Sequence, residues 1–212
     1  MRSPNAALRA AALALAAAPA AAAGTPAEDL ARRVEERLLR AADMRARFTQ
    51  TYRSGALGRE VRERGTMTLK RPGRMRWEYE FPERKTFVSD GRTFYFYVPA
   101  DRQVVVRDQK DAAGVAGLLL AGRGALLEPF APEVQAAPTG TTRLRLVPRK
   151  ADPEVEQIVL DLDADCRVRA LEVTDPQGNR SRFEFDDVRE NVGLRDDQFE
   201  FEPPRGVEVI AG

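Results

Sequence analysis

The sequence predicts a mainly β protein with helices: an unclosed antiparallel half-barrel, a strongly curved sheet covered by an N-terminal helix and a short helical lid. Three observations predict it. Most segments after residue 42 alternate apolar and polar residues with period two and are joined by short turns. Only one long stretch, near residue 30, has helical periodicity. One apolar, glycine-broken stretch at 111–138 fits neither pattern.

The start of the chain reads as a leader. Arg2 and Arg9 form a basic start, Ala10–Ala23 is apolar, and Ala21-Ala22-Ala23 precedes Gly24. That is the organisation of a secretory signal peptide cleaved near Ala23. The apolar run is too short to span a bilayer and Pro19 interrupts it. No cysteine follows, so no lipid anchor is expected there. The product is expected to be soluble and exported.

Removing the leader leaves 189 of the 212 residues, one domain over 24–212 with 32 basic and 33 acidic side chains. That length can bury a core. A near-neutral balance gives no electrostatic case for nucleic acid or an anionic membrane surface. The lone Cys166 cannot form an internal disulfide, and its turn, Asp163-Ala164-Asp165-Cys166, reads as an exposed thiol.

The chain has no histidine. That excludes Ser-His-Asp and Cys-His nucleophiles and histidine metal ligands, and one thiolate cannot hold zinc or a cluster. No cofactor or metal is expected. The pairs Asp186-Asp187 and Asp196-Asp197 sit side by side, so on a strand they point to opposite faces. There is no Gly-x-Ser-x-Gly elbow. A non-enzyme is expected, with a lipid-acting enzyme as a rival reading.

The elements follow in order. Thr25-Pro26-Ala27-Glu28 is a capping box with proline at the first helical position. Leu30, Val34, Leu38 and Ala41 make one apolar stripe, so a helix is expected over about 26–42. The clearest strand is 74–81, where Met75, Trp77, Tyr79 and Phe81 share one face and Arg74, Arg76, Glu78 and Glu80 the other. Further strands are expected near 45–53, 64–70, 85–89, 92–98, 103–107, 141–147, 155–162, 167–174, 180–188 and 207–210. Asp90-Gly91 is a type I′ hairpin signal, and Asp175–Asn179 is a turn. Roughly ten strands thus form one antiparallel meander.

Such a sheet needs a cover. Its apolar face carries Met67, Leu69, Met75, Trp77, Tyr79, Phe87, Phe94, Phe96, Ile158 and Leu160. At about 25 cal/mol per Å², leaving several of these wet would exceed the stability of a domain. The sheet must wrap round its helices. Either the helices fill the interior, or an apolar ligand cavity remains under a lid near 111–130, to which Leu118, Leu119, Leu126, Leu127 and Phe130 contribute. Glycines flanking Leu118–Leu120 favour a movable lid, since a permanent core helix has little use for them.

Several segments resemble one family. Phe48-Thr49-Gln50, Gly65, Lys70–Tyr79 (KRPGRMRWEY), Val88–Tyr97 (VSDGRTFYFY) and Phe199–Val207 (FEFEPPRGV) are similar, in order, to the outer-membrane lipoprotein carrier protein family LolA. The resemblance covers nearly the whole mature chain. It implies a periplasmic monomer that takes acylated lipoproteins from an inner-membrane lipoprotein-releasing ABC transporter. The acyl chains are shielded in a hydrophobic cavity and passed to an outer-membrane lipoprotein receptor. By similarity, Arg71 is the latch that hydrogen-bonds the lid. Residues 71, 73, 75 and 77 share parity, so a strand beginning at 71 would aim Arg71 to the side of Met75 and Trp77. Met75 stands where the family pattern often has phenylalanine, at a position tied to cargo and transporter contact. Met67, Leu69, Trp77, Tyr79, Phe87, Phe94, Phe96, Leu118, Leu119, Leu126, Leu127, Phe130, Ile158 and Leu160 are the candidate acyl-cavity lining. Rival half-barrel readings are the receptor, disfavoured by the missing attachment cysteine, an envelope-stress sensor domain and a glycolipid carrier.

Overall fold

The computed structural model describes residues 25–108, 126–137 and 140–212. Helix α1 spans Pro26–Arg40 and begins with the expected capping box: Thr25 Oγ1 accepts from the Glu28 amide while the Glu28 carboxylate accepts from the Thr25 amide at 2.8 Å. Ala31 and Val34 are its buried residues, so a small side chain lets the helix approach the sheet. The helix ends where Ala41 turns extended.

Twelve strands form one sheet among the described residues: β1 (Asp43–Arg53), β2 (Glu60–Lys70), β3 (Arg74–Phe81), β4 (Lys85–Asp90), β5 (Thr93–Val98), β6 (Gln103–Asp108), β7 (Phe130–Gln135), β8 (Thr142–Pro148), β9 (Gln157–Leu162), β10 (Val168–Thr174), β11 (Arg180–Glu190) and β12 (Glu208–Ala211). Their order is β12-β6-β5-β4-β3-β2-β1-β11-β10-β9-β8-β7. The edge strands β12 and β7 do not pair, so the sheet is unclosed. The two halves of the chain meet where β1 pairs with β11, Phe48 lying opposite Phe185 and Gln50 opposite Phe183.

Two departures from the sequence reading are instructive. Phe130 belongs to a strand, β7, and not to the helical lid expected over 111–130. Pro132 hides that strand from a pattern search, and β7 tolerates it because it pairs on one side only, Pro132 lying opposite Leu146. The meander is also not wholly antiparallel: β12 runs parallel to β6, with Val209 opposite Val104. The remaining lid residues up to 125, including Leu118 and Leu119, lie outside the described residues.

The concave side is a ladder of edge-to-face rings. Phe48 meets Trp77 at 4.9 Å and Tyr79 at 4.8 Å, and Trp77 meets Phe183 at 5.4 Å. Phe87 continues the row by stacking on Phe96 at 4.4 Å. Gly65 makes the row possible, because a side chain there would strike the Glu78 carbonyl and the Phe48 ring. In β9 both faces are buried. Ile158, Leu160 and Leu162 enter the core, while Asp161 lies on the other face under Arg143 and Arg182.

Candidate functional site at the end of the helix

The last carbonyls of a helix have no partner within it. In α1 those groups meet Arg71. Its Nε donates to the Ala41 carbonyl at 2.8 Å and its Nη2 donates to the Leu38 carbonyl. Its backbone amide donates to the Ala42 carbonyl at 2.9 Å. A cation here also opposes the negative end of the helix dipole. Burial pushes the Arg71 guanidinium down from its ordinary value, though arginine stays charged. The third guanidinium nitrogen, Nη1, is buried with no partner among the described residues.

Parity explains the direction of Arg71, but through a different strand from the one expected. Strand β3 begins at Arg74, so residues 71–73 are turn. Met67 and Leu69 of β2 point to the concave side, and Arg71 continues that row past the strand end.

Further contacts fix the same corner. The buried Asp43 carboxylate accepts from the amides of Val192, Gly193 and Leu194 at 2.7 to 3.0 Å. The Asn191 side chain accepts from the Ala42 amide at 2.8 Å. Arg37 of α1 pairs with Glu190 of β11. At mid-helix, Glu35 accepts from the Leu126 amide at 3.2 Å, which ties α1 to the segment before β7. Sequence reading singled out neither Glu35 nor Asp43. The one available signal was an aspartate opening a strand beside a helix end.

Beneath the end of α1 lies a mainly apolar cavity, small as it stands at about 30 Å³. Leu38, Met44, Met67, Leu69, Phe185 and Val188 line it, with Arg71 at its edge. Of the expected lining, Met67 and Leu69 face this space. Trp77, Tyr79, Leu126, Ile158 and Leu160 are buried in the continuous core, with Phe87, Leu127 and Phe130 packed against it. Phe94 and Phe96 pack around Phe87. Met75, at 2% exposure, lies between Leu69 and Ser89 in the sheet register and faces the core, away from any surface a second protein would touch. Tyr79 donates to Gln50 at 2.6 Å, and burial, with the Glu63 carboxylate, raises its phenol well above the ordinary range.

Cys166 corrects the sequence reading. It is 5% exposed and lines the cavity. The turn is tight: the Asp163 carboxylate accepts from the amides of Asp165 and Arg167, and Cys166 adopts a left-handed backbone with φ of 59°. Its side chain therefore turns inward.

An open, mostly antiparallel sheet whose apolar hollow is closed at one end by an arginine-tethered helix defines this as a half-barrel protein with an internal apolar cavity. The family model described as "Outer membrane lipoprotein carrier protein LolA" matches residues 40–202, and the chain belongs to that family. Two relatives named outer-membrane lipoprotein carrier protein agree. One, from Methylococcus capsulatus, is 33% identical over 172 residues, 80% of this chain and 82% of its own. The other, from Chromohalobacter salexigens, is 35% identical over 186 residues, 87% and 86%. Among solved structures, an uncharacterized conserved protein from Thermus thermophilus superposes with a TM-score of 0.56 at 17% identity, covering 88% of this chain and 99% of that one. The likeness shows the shared fold. Among the described residues, no helix is long and apolar enough to cross a membrane.

Proposed function

We propose that this protein is a periplasmic carrier that shields the acyl chains of lipoproteins between the inner and outer membranes. Membership of the carrier family supports the cargo class, and the observation that carries the mechanism is Arg71 bonded to the last carbonyls of α1 above an apolar cavity. Apolar chains gain about 0.8 kcal/mol per buried methylene. Two charge-assisted hydrogen bonds of about 1.5–3 kcal/mol each are the cost of displacing the helix end. Roughly four to eight buried methylenes offset that cost, so acyl burial opens the latch and loss of cargo closes it.

In this reading the helix end of α1, and not only the segment near 111–130, acts as the cover. Met67 and Leu69 contact cargo first. The aromatic row through Trp77, Tyr79, Phe87, Phe94 and Phe96 separates only as the helix lifts, and Met75 becomes reachable at that stage. An inner-membrane releasing transporter and an outer-membrane receptor are the donor and acceptor. No step needs bond making or a cofactor.

The test is release. Incubation of the purified protein with inner membranes loaded with lipoprotein should yield a soluble one-to-one complex. If lipoprotein stays on the membrane while free fatty acid or glycolipid copurifies, the lipoprotein assignment fails and the cavity stands.

A further inference from the structure

The β1–β2 hairpin ends far from the latch. Strand β2 has 11 residues between this end and Arg71, so about 33 Å separate them. The hairpin loop is ordered: the Ser54 amide donates to the Arg59 carbonyl at 2.9 Å, the Gly58 amide to the Ser54 carbonyl at 3.0 Å, and the Leu57 amide to Ser54 Oγ. The Gly55 amide donates to the Asn179 side chain at 3.0 Å, which braces the loop on the β10–β11 turn. At its apex this braced loop holds Leu57 in water, 74% exposed. Tyr52 and Val61, paired across the hairpin just below, are also exposed.

The charges around this tip are unbalanced. Arg53, Arg59, Arg62 and Arg180 are all exposed, with Arg180 directly opposite Arg53 in the register. None of them forms an ion pair with any described residue. Glu60 lies opposite Arg53 in the β1–β2 register, and Asp175 of the neighbouring turn is occupied by the amides of Gln177 and Asn179. The hairpin that carries Leu57 thus bears Arg53, Arg59 and Arg62, with Arg180 on the adjoining strand.

We propose that the β1–β2 hairpin tip docks on an anionic lipid surface, Leu57 entering the headgroup boundary while the arginines meet lipid phosphates. The tip is one short loop, Ser54–Arg59, closed by its own backbone hydrogen bonds. A protein partner would need a complementary patch near 800 Å², whereas a fluid surface accepts a point with no shape match. The contact would hold the carrier at a membrane with its latch end free. It is a property of this surface and does not depend on what the cavity carries.

The test is flotation of the cargo-free protein with vesicles of phosphatidylcholine alone or containing phosphatidylglycerol, at low and high salt. Binding is expected only with phosphatidylglycerol, and is expected to weaken as salt rises. One basic residue at an anionic surface is worth about fivefold in affinity, so R53Q/R59Q/R62Q should lower binding about a hundredfold. Leu57→Asp should lower it at least tenfold with the arginines intact. Circular dichroism of both variants should match the parent, since all these positions are exposed. Absent or lipid-independent binding, or binding unchanged in both variants, overturns the proposal. Loss of binding only to native membranes that protease treatment also abolishes would assign the tip to a protein partner and likewise overturn it.

Discussion

Arg71 Nε lies 2.8 Å from the Ala41 carbonyl, and the two residues, thirty apart in sequence, join the end of α1, the one α-helix among the described residues, to the turn between β2 and β3. This link sets the mechanical character of the protein. The sheet is held by continuous ladders, whereas the helix end rests on a few directional contacts that can be exchanged for apolar burial.

Arg71→Leu removes both side-chain donors and leaves the sheet ladders intact. Amides around Leu38–Asp43 should exchange with deuterium about a hundredfold faster or more, matching the loss of two hydrogen bonds of about 1.5–3 kcal/mol each. Amides of β2 and β3 should be unchanged. Collapse of protection throughout the sheet would make Arg71 a fold-wide structural residue and remove its role as a latch.

Cys166 is a built-in reporter of the same event. Lining the cavity beneath α1 and 5% exposed, its thiol should react slowly with Ellman's reagent in the parent protein. In Arg71→Leu the rate should rise about tenfold or more, and cargo that fills the cavity should suppress it again. Equal rates in parent and variant would mean that α1 does not gate this space.

Asp161 should shape the acid limb of stability. Burial alone would raise its pKa, but hydrogen bonds from Arg143 at 2.6 Å and Arg182 at 2.8 Å, with their charges, bring it below the ordinary value. A carboxyl depressed in the folded state contributes stability that is present above its unfolded pKa, near 3.9, and is lost as pH falls through the folded value. Urea midpoints should therefore drop below about pH 4, and Asp161→Asn should flatten that drop. At pH 7 the same variant should cost about 1–3 kcal/mol, since the two arginines lose their partner yet remain partly solvated.

Gly65→Ala should be among the most damaging small changes in the chain. The added methyl collides with the Glu78 carbonyl, a backbone atom that cannot move without breaking the β2–β3 ladder, and presses on Phe48. Destabilisation of about 3 kcal/mol or more is expected in urea denaturation. A midpoint within about 0.5 kcal/mol of the parent would show that β3 can shift.

Asp43→Ala should cost about 2–4 kcal/mol, because the amides of Val192, Gly193 and Leu194 lose their common acceptor. The loss should appear in thermal denaturation and in exchange at residues 191–194.

The elements that sequence reading placed well are those whose pattern is local. The Thr25–Glu28 capping box and the alternation of Met75, Trp77 and Tyr79 are written in neighbouring residues, and both occur where expected. Strand β7 escaped because Pro132 suppresses the strand signal in its own window, and its acceptance depends on being at an edge. Cys166 was misread because a left-handed turn residue decides which way the side chain goes, and only the turn's own hydrogen bonds fix that.

Taken by itself, the sequence determined the class of architecture. Period-two alternation over most of the chain, one amphipathic helix and an apolar face too large to leave wet require a curved sheet closed on its helix, since hydrophobic burial counts residues by face. Tertiary structure alone decided where Arg71 spends its donors, what Asp43 and Glu35 hold, and that the cavity opens beneath the end of α1. Those are contacts between atoms 30 to 151 residues apart. Hydrogen bonds depend on angle and distance to a few tenths of an ångström, and no spacing rule carries that over such separations.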